Sequence, residues 1–129
     1  MPIAYDRDNL RRLITVTLSE PVSIEELLGV VDRQAAEDTW GFAMLYDLRG
    51  VRDVAVLAQL PRLADRVKAL GGDQPRGPVG VAILPRPELF LAGLMYGELT
   101  REFMSVEVLL TDGQLDDWLS RNARRGSSR

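Results

Sequence analysis

Apolar and polar positions along the chain alternate in two periods, and together they predict short strands separated by helices. Residues 3–5 and 13–18 read as two opening strands. In the second, Leu13-Ile14-Thr15-Val16-Thr17-Leu18 sets β-branched residues among apolar partners, a composition suited to a pleated, half-buried surface. Arg7-Asp8-Asn9 between them is turn chemistry and predicts a hairpin. Ser23-Ile24-Glu25-Glu26 has the Ser-x-x-Glu form of a capping box, so a helix is expected to begin there. Ile24, Leu27, Leu28, Val31 and Ala35 then share one helical face, with Glu25, Asp32, Arg33 and Glu37 opposite. After Trp40-Gly41, the unbroken run Phe42-Ala43-Met44-Leu45-Tyr46 predicts a strand covered on both faces. Asp47-Leu48-Arg49-Gly50 is expected to be a loop.

Helical spacing returns over about 54–70, where Leu57, Leu60, Ala64 and Val67 line one side. Pro61 lies inside that span and predicts a kink or an early break, because proline removes a helix hydrogen bond and crowds the preceding turn. Gly71-Gly72 ends the helix, and a surface loop is expected as far as Pro78. Val79-Gly80-Val81-Ala82-Ile83-Leu84 predicts a further buried strand. Pro85-Arg86-Pro87 turns the chain, and Pro87 suits the first turn of a helix reaching about residue 102. Residues 106–110 form the last expected strand. Thr111-Asp112-Gly113-Gln114 is a second capping box, opening a short helix with Leu115, Trp118 and Leu119 inward.

The resulting order, β-β-α-β-α-β-α-β-α, predicts an α/β fold in one domain: a mixed, mostly parallel sheet with helices packed on it. A chain of 129 residues suits a single core. The domain is expected over 1–121, with a polar, basic tail over 122–129 that frays.

Composition narrows the chemistry. There is no cysteine and no histidine. Disulfides, thiolate nucleophiles, cysteine-bound metals and imidazole acid–base catalysis are therefore excluded. A net charge of −3 offers no general attraction for nucleic acid or anionic lipid. The most apolar run, 89–96, is far shorter than the roughly 20 residues a bilayer span needs. Met1-Pro2-Ile3-Ala4-Tyr5-Asp6 lacks the basic and apolar regions of a signal peptide. The expected location is the cytoplasm, with no cofactor, no metal, no nucleic acid and no membrane span.

With the element order in view, Leu45-Tyr46-Asp47-Leu48-Arg49-Gly50-Val51 resembles the end of the third strand in STAS domains. These form the anti-sigma-factor-antagonist, or SpoIIAA-like, group, in which a Leu-x-Asp-Leu-Ser-Gly-Val stretch occurs. The order of elements is similar to that group and to the lipid-binding domains related to it. In that family, Asp-Ser-Ser or Asp-Ser-Thr follows at the start of the next helix and supplies a phosphate-accepting serine. Here Arg52-Asp53-Val54-Ala55-Val56 follows, and no serine or threonine lies between Thr39 and Thr100. The resemblance thus implies the STAS-like fold without the phosphorylation switch, whose chemistry requires a hydroxyl.

Ligands in sheets of this type bind beyond the carboxyl ends of parallel strands. Asp47, Arg49, Arg52, Asp53, Arg86 and Asp112 are expected to meet there as a polar rim. The plain alternative is that Asp53 and Asp112 serve helix N-termini while the arginines are solvated. The helix after Pro87 carries Leu89, Phe90, Leu91, Leu94, Met95 and Tyr96, more apolar residues than one stripe requires. Such a surplus forms a pocket, an interface or a deeply wedged core helix. Gly93 and Gly97 have the spacing that permits close backbone approach.

The adjacent pairs Glu25-Glu26, Glu37-Asp38 and Asp116-Asp117 point in different directions on helices and read as solvated faces. Lys68, the sole lysine, falls on a polar helix side. Arg121, Arg124, Arg125 and Arg129 read as a solubilising tail. No catalytic residue is assigned. The candidate binding residues are Asp47, Arg49, Arg52, Asp53, Arg86, Phe90 and Tyr96. They fit a non-catalytic module that docks a partner protein or its own copy, or alternatively a carrier of a small apolar or lipid-like ligand.

Overall fold

A computed structural model of the chain describes residues 3–19, 23–51, 58–71, 74, 76–83, 90–102 and 104–123. Its elements run β1 (Ile3–Asp8), β2 (Leu13–Ser19), α1 (Ile24–Ala36), β3 (Ala43–Gly50), α2 (Leu60–Gly71), β4 (Val79–Ala82), α3 (Phe90–Thr100), β5 (Val106–Leu109) and α4 (Asp112–Asn122). The order is the one the pattern predicts. β1 pairs antiparallel with β2, and β2, β3, β4 and β5 follow in parallel, so the sheet order equals the chain order.

Sequential parallel strands need a crossover each, and crossovers of one hand deliver their helices to one face. Accordingly, Ile24, Leu27, Val30 and Val31 of α1, Leu63, Ala64 and Val67 of α2, and Tyr96 of α3 all bury against the same sheet residues. Those are Ile14, Val16, Leu18, Met44, Tyr46, Val79 and Val81. α4 follows the last strand and covers the other face, where Trp118 packs with Leu13, Ala43, Leu45, Ala82 and Leu109. Strand alternation assigns each residue to its layer. Gly80 faces Trp118, and a Cβ there would lie 2.8 Å from the indole Cε2, so a bare backbone is required for the ring to settle on β4.

Both capping boxes form. Glu26 N donates to Ser23 Oγ at 3.2 Å while Ser23 N donates to Glu26 Oε1 at 2.9 Å. Gln114 N donates to Thr111 Oγ1 at 3.1 Å, and the Gln114 carbonyl accepts from Thr111 N at 3.2 Å and Leu110 N at 2.7 Å. That second grip draws Leu110 out of β5, which ends at Leu109 rather than at residue 110.

Several expectations need correction. Asp47-Leu48-Arg49-Gly50 is strand, not loop: β3 continues to Gly50 because Thr17 pairs with Asp47 and Ser19 with Gly50, across a register irregularity in β2. Pro61 lies at the start of α2, so no kink falls within that helix. α2 starts at Leu60, so Pro61 occupies its first turn, where a missing N–H costs nothing; residues 54–57 lie outside the described residues. In α1 the fully buried face is Ile24, Leu27, Val30, Val31 and Gln34, with Leu28 and Ala35 only partly buried. Gln34 sits there with its Nε2 donating to the Thr39 backbone carbonyl at 3.0 Å and its backbone carbonyl accepting from Thr39 Oγ1 at 3.3 Å, while its side-chain Oε1 has no partner. α4 runs through Asn122, whose side chain donates to the Trp118 carbonyl at 2.9 Å; residues 124–129 lie outside the described residues.

Truncating the indole removes the centre of the smaller core, whereas removing one cap loses a single hydrogen bond. Trp118→Ala is expected to cost about 3–5 kcal/mol, and Ser23→Ala about 1 kcal/mol, by urea denaturation. Equal losses would contradict the two-core arrangement.

Candidate functional site

The polar rim and the surface of α3 are the two regions where sequence chemistry pointed to contact. Asp47 and Arg49 stand two apart on β3 and therefore on one face, the face α4 covers further down the strand. They close on each other: Arg49 Nε donates to Asp47 Oδ1 at 2.9 Å and Nη2 to Oδ2 at 2.7 Å, and the Arg49 backbone N–H adds a bond at 3.1 Å. The Arg49 hydrogen bond holds the Asp47 carboxyl below its usual range, against the opposing effect of partial burial. The arginine is held more firmly protonated in return, chiefly by Asp47, with Asp112 adding to the field. Asp112 sits in the first turn of α4, behind the Thr111 cap. That is the plain role anticipated for it, favourable to the helix dipole. Arg52, Asp53 and Arg86 lie outside the described residues. The described part of the rim is thus a self-neutralised fork, with little charge left over for an anionic ligand.

Among the described residues, the remaining acidic groups are paired or solvated. Asp32 meets Arg66 at 2.8 Å, Glu37 meets Arg33 at 3.0 Å, and Arg121 bridges Asp117 at 2.8 Å and Glu107 at 3.0 Å. Arg121 therefore belongs to the folded body and not to a free basic tail. Lys68 is exposed on α2, on the polar helix side expected for it.

α3 divides its residues differently from expectation. Tyr96 is buried against the sheet, so it is a core residue and not part of a binding surface. Burial raises the pKa of its hydroxyl, with Tyr46 reinforcing the effect. Phe90 is only partly exposed and packs on the same core. The opposite side is open: Leu91 is 71%, Met95 64%, Leu94 48% and Leu99 46% exposed. Leu89 lies outside the described residues.

The glycine spacing explains how the helix sits. A Cβ at Gly93 would lie 2.7 Å from Val108 Cγ2, and one at Gly97 would lie 3.7 Å from Val106 Cβ. Gly93 thus lets α3 approach β5 closely, whereas a side chain at Gly97 would make only an ordinary contact. Between α3 and β5 runs a groove of about 400 Å³, lined by Leu94, Glu98, Arg101, Met104, Val106 and Val108 among others. Glu98 and Arg101 pair across its rim at 3.3 Å.

Sequence reasoning missed Leu99, which extends the exposed row of α3, and Arg76. The Arg76 guanidinium stacks 4.5 Å from the Trp40 ring centre, and its Nη2 approaches Met44 Sδ at 3.2 Å. Leu99 was detectable, since it continues the spacing of Leu91 and Met95. Arg76 carried no signal, because an arginine before a strand normally faces water.

Comparison with family models, with curated proteins and with solved structures finds no match.

The Asp47 pair gives a pH-dependent expectation. Its folded pKa lies below the unfolded value, so the pair adds stability that is present above the ordinary carboxylate range and is lost as pH falls through the folded value. Asp47→Asn is expected to be less stable than wild type at neutral pH by about 1 kcal/mol or less, since Arg49 is solvent-screened. That gap should shrink below about pH 4. Melting curves from neutral to acid pH check this, and a gap that stays constant would remove the ion pair as its source.

Proposed function

We propose that this chain is a non-catalytic, STAS-like interaction module of the cytoplasm that docks a protein partner or a second copy of itself through the outward face of α3. The observation that carries this reading is the row Leu91, Leu94, Met95 and Leu99, all substantially exposed on one short helix. Isolated exposed leucines are ordinary on protein surfaces, and Leu10 in the turn after β1 is one. Four long apolar side chains side by side are different, because a contiguous patch marks a contact surface. Burying one such side chain fully is worth roughly 1.5–3 kcal/mol, enough in combination to support association.

The shape favours a protein over a small molecule. Small-ligand sites are concave and enclose most of their ligand. The exposed row stands on the convex side of a helix, and the neighbouring groove is rimmed by an ion pair. The absence of histidine and cysteine from the sequence, with Asp47 neutralised by Arg49, supports a role in contact rather than turnover. The element order and the Leu45–Val51 stretch support the STAS-like assignment.

A photo-crosslinking amino acid at Met95 tests the reading in cells, with the same group at exposed Lys68 on α2 as control. The expected result is a discrete adduct from position 95 alone, its mass showing whether the partner is another protein or the same chain. No adduct, or equal adducts from both positions, overturns the proposal. An adduct to lipid alone would favour the carrier reading instead.

A further inference from the structure

We infer that the occupant of the α3 face is a second copy of this chain, joined β5 to β5 about a two-fold axis so that two five-stranded sheets become one, a proposal that rests on the docking role of α3 argued above. The starting point is the free edge of the sheet. β5 is terminal in the strand order. Val79 N donates to the Ser105 carbonyl at 2.9 Å and Ile83 N to the Leu109 carbonyl at 3.0 Å. In a parallel ladder this turns the backbone groups of residues 105, 107 and 109 toward β4. The N–H and C=O of Val106 and Val108 consequently point outward, along the open edge.

An exposed strand edge is a template for another strand. Here it lies directly beside the apolar helix, because Gly93 and Gly97 hold α3 against Val108 and Val106. The groove of about 400 Å³ between them has Leu94 on one wall and Val106 and Val108 on the other. An occupant that satisfies both walls must supply a free strand edge and, next to it, an apolar helix. The β5–α3 unit itself has that form. The opposite edge, β1, presents exposed Ala4, Asp6 and Arg7, the charged kind of edge that resists pairing.

The groove's apolar wall favours self-association, and the charges on its rim are already matched within the chain. Glu98 and Arg101 stand one turn apart at the groove, with opposite signs and a separation of 3.3 Å. A two-fold axis through Glu107 lies level with Met95, because Gly93 meets Val108 and Gly97 meets Val106; Leu94 of each copy thus comes level with Leu94 of the other, while Glu98 and Arg101 stay paired within each copy. A groove built for an acidic or basic peptide would carry one sign.

The register follows from the outward groups. Setting Val106 opposite Val108 of the second copy makes two hydrogen-bonded pairs and uses every outward group of those residues. It leaves Glu107 facing its own counterpart across the axis. Like charges in that position repel; Arg121, which lies 3.0 Å from Glu107 and also 2.8 Å from Asp117, offsets part of that repulsion from each side. Side chains in such a non-hydrogen-bonded pair spring from Cα atoms about 4.5 Å apart, which is within the range a disulfide spans.

The natural absence of cysteine makes the register directly testable. Light scattering on the purified chain should give twice the 14.4 kDa monomer mass, and Leu94→Glu should weaken association more than about tenfold while the circular dichroism spectrum shows the chain still folded and its melting no longer depends on protein concentration. Under mild oxidation Glu107→Cys should form a covalent dimer, whereas Lys68→Cys should remain a monomer on a denaturing gel. A monomer at every concentration overturns the inference. So does a dimer that survives Leu94→Glu, or one in which Glu107→Cys links no faster than Lys68→Cys. If the chain is monomeric but a different protein crosslinks at Met95, self-pairing fails and α3 docking stands; if nothing crosslinks either, both fail.

Discussion

Parallel pairing from β2 to β5 is the constraint on which the rest of the molecule depends. Each parallel step requires a helix to carry the chain back, and a single hand of crossover stacks α1, α2 and α3 in order on one face. α1 packs on α2 and α2 on α3. Because β5 ends the sheet, no fourth crossover helix follows in that layer, and α3 is left with one flank and its outer surface unsupported. The exposed apolar row is therefore a position in the topology as much as a property of the residues. Apolar side chains at that position have no crossover helix to cover them.

The same geometry explains why α3 is apolar on both sides. Its inner face supplies Tyr96 to the core beside Tyr46, and Gly93 allows contact close enough to seat it on a short, four-residue strand. A helix so placed would ordinarily be polar outward. Polar residues do appear, as Glu98 and Arg101, but they fall at the groove and neutralise each other. Leu91, Leu94, Met95 and Leu99 take the remaining outward positions.

Much of the fold was legible because its signals are local. A capping box needs only four residues, and both formed as read. Runs such as Ala43-Met44-Leu45-Tyr46 are buried on both faces, so their apolar continuity identified β3 and β4 without any partner being known. The misreadings were set by distant residues. Asp47 and Arg49 look like loop chemistry, yet pairing with β2 extends the strand through them. Gln34 is buried where Thr39 meets its amide. The candidate site was half legible: the surplus of apolar residues after Pro87 was evident, but its direction was not. Periodicity finds a face by contrast between polar and apolar positions, and α3 has too little contrast to reveal its phase. Hence Tyr96 was grouped with the surface and Leu99 was overlooked.

Polar and apolar surfaces meet their needs differently in this chain. Arginine carries nearly all the positive charge, and its planar fork matches a carboxylate at two points. Arg49 closes on Asp47, Arg66 on Asp32, and Arg121 on both Asp117 and Glu107. Each pair is partly exposed and contributes little to stability, yet each removes a charge from the pool available to bind something else. An apolar row has no such internal remedy, since the only way to relieve its exposure is to cover it. A surface on which many of the described ions are already matched, beside a helix whose leucines are not, favours association by burial. It also places the specificity of that association in shape and strand register more than in charge.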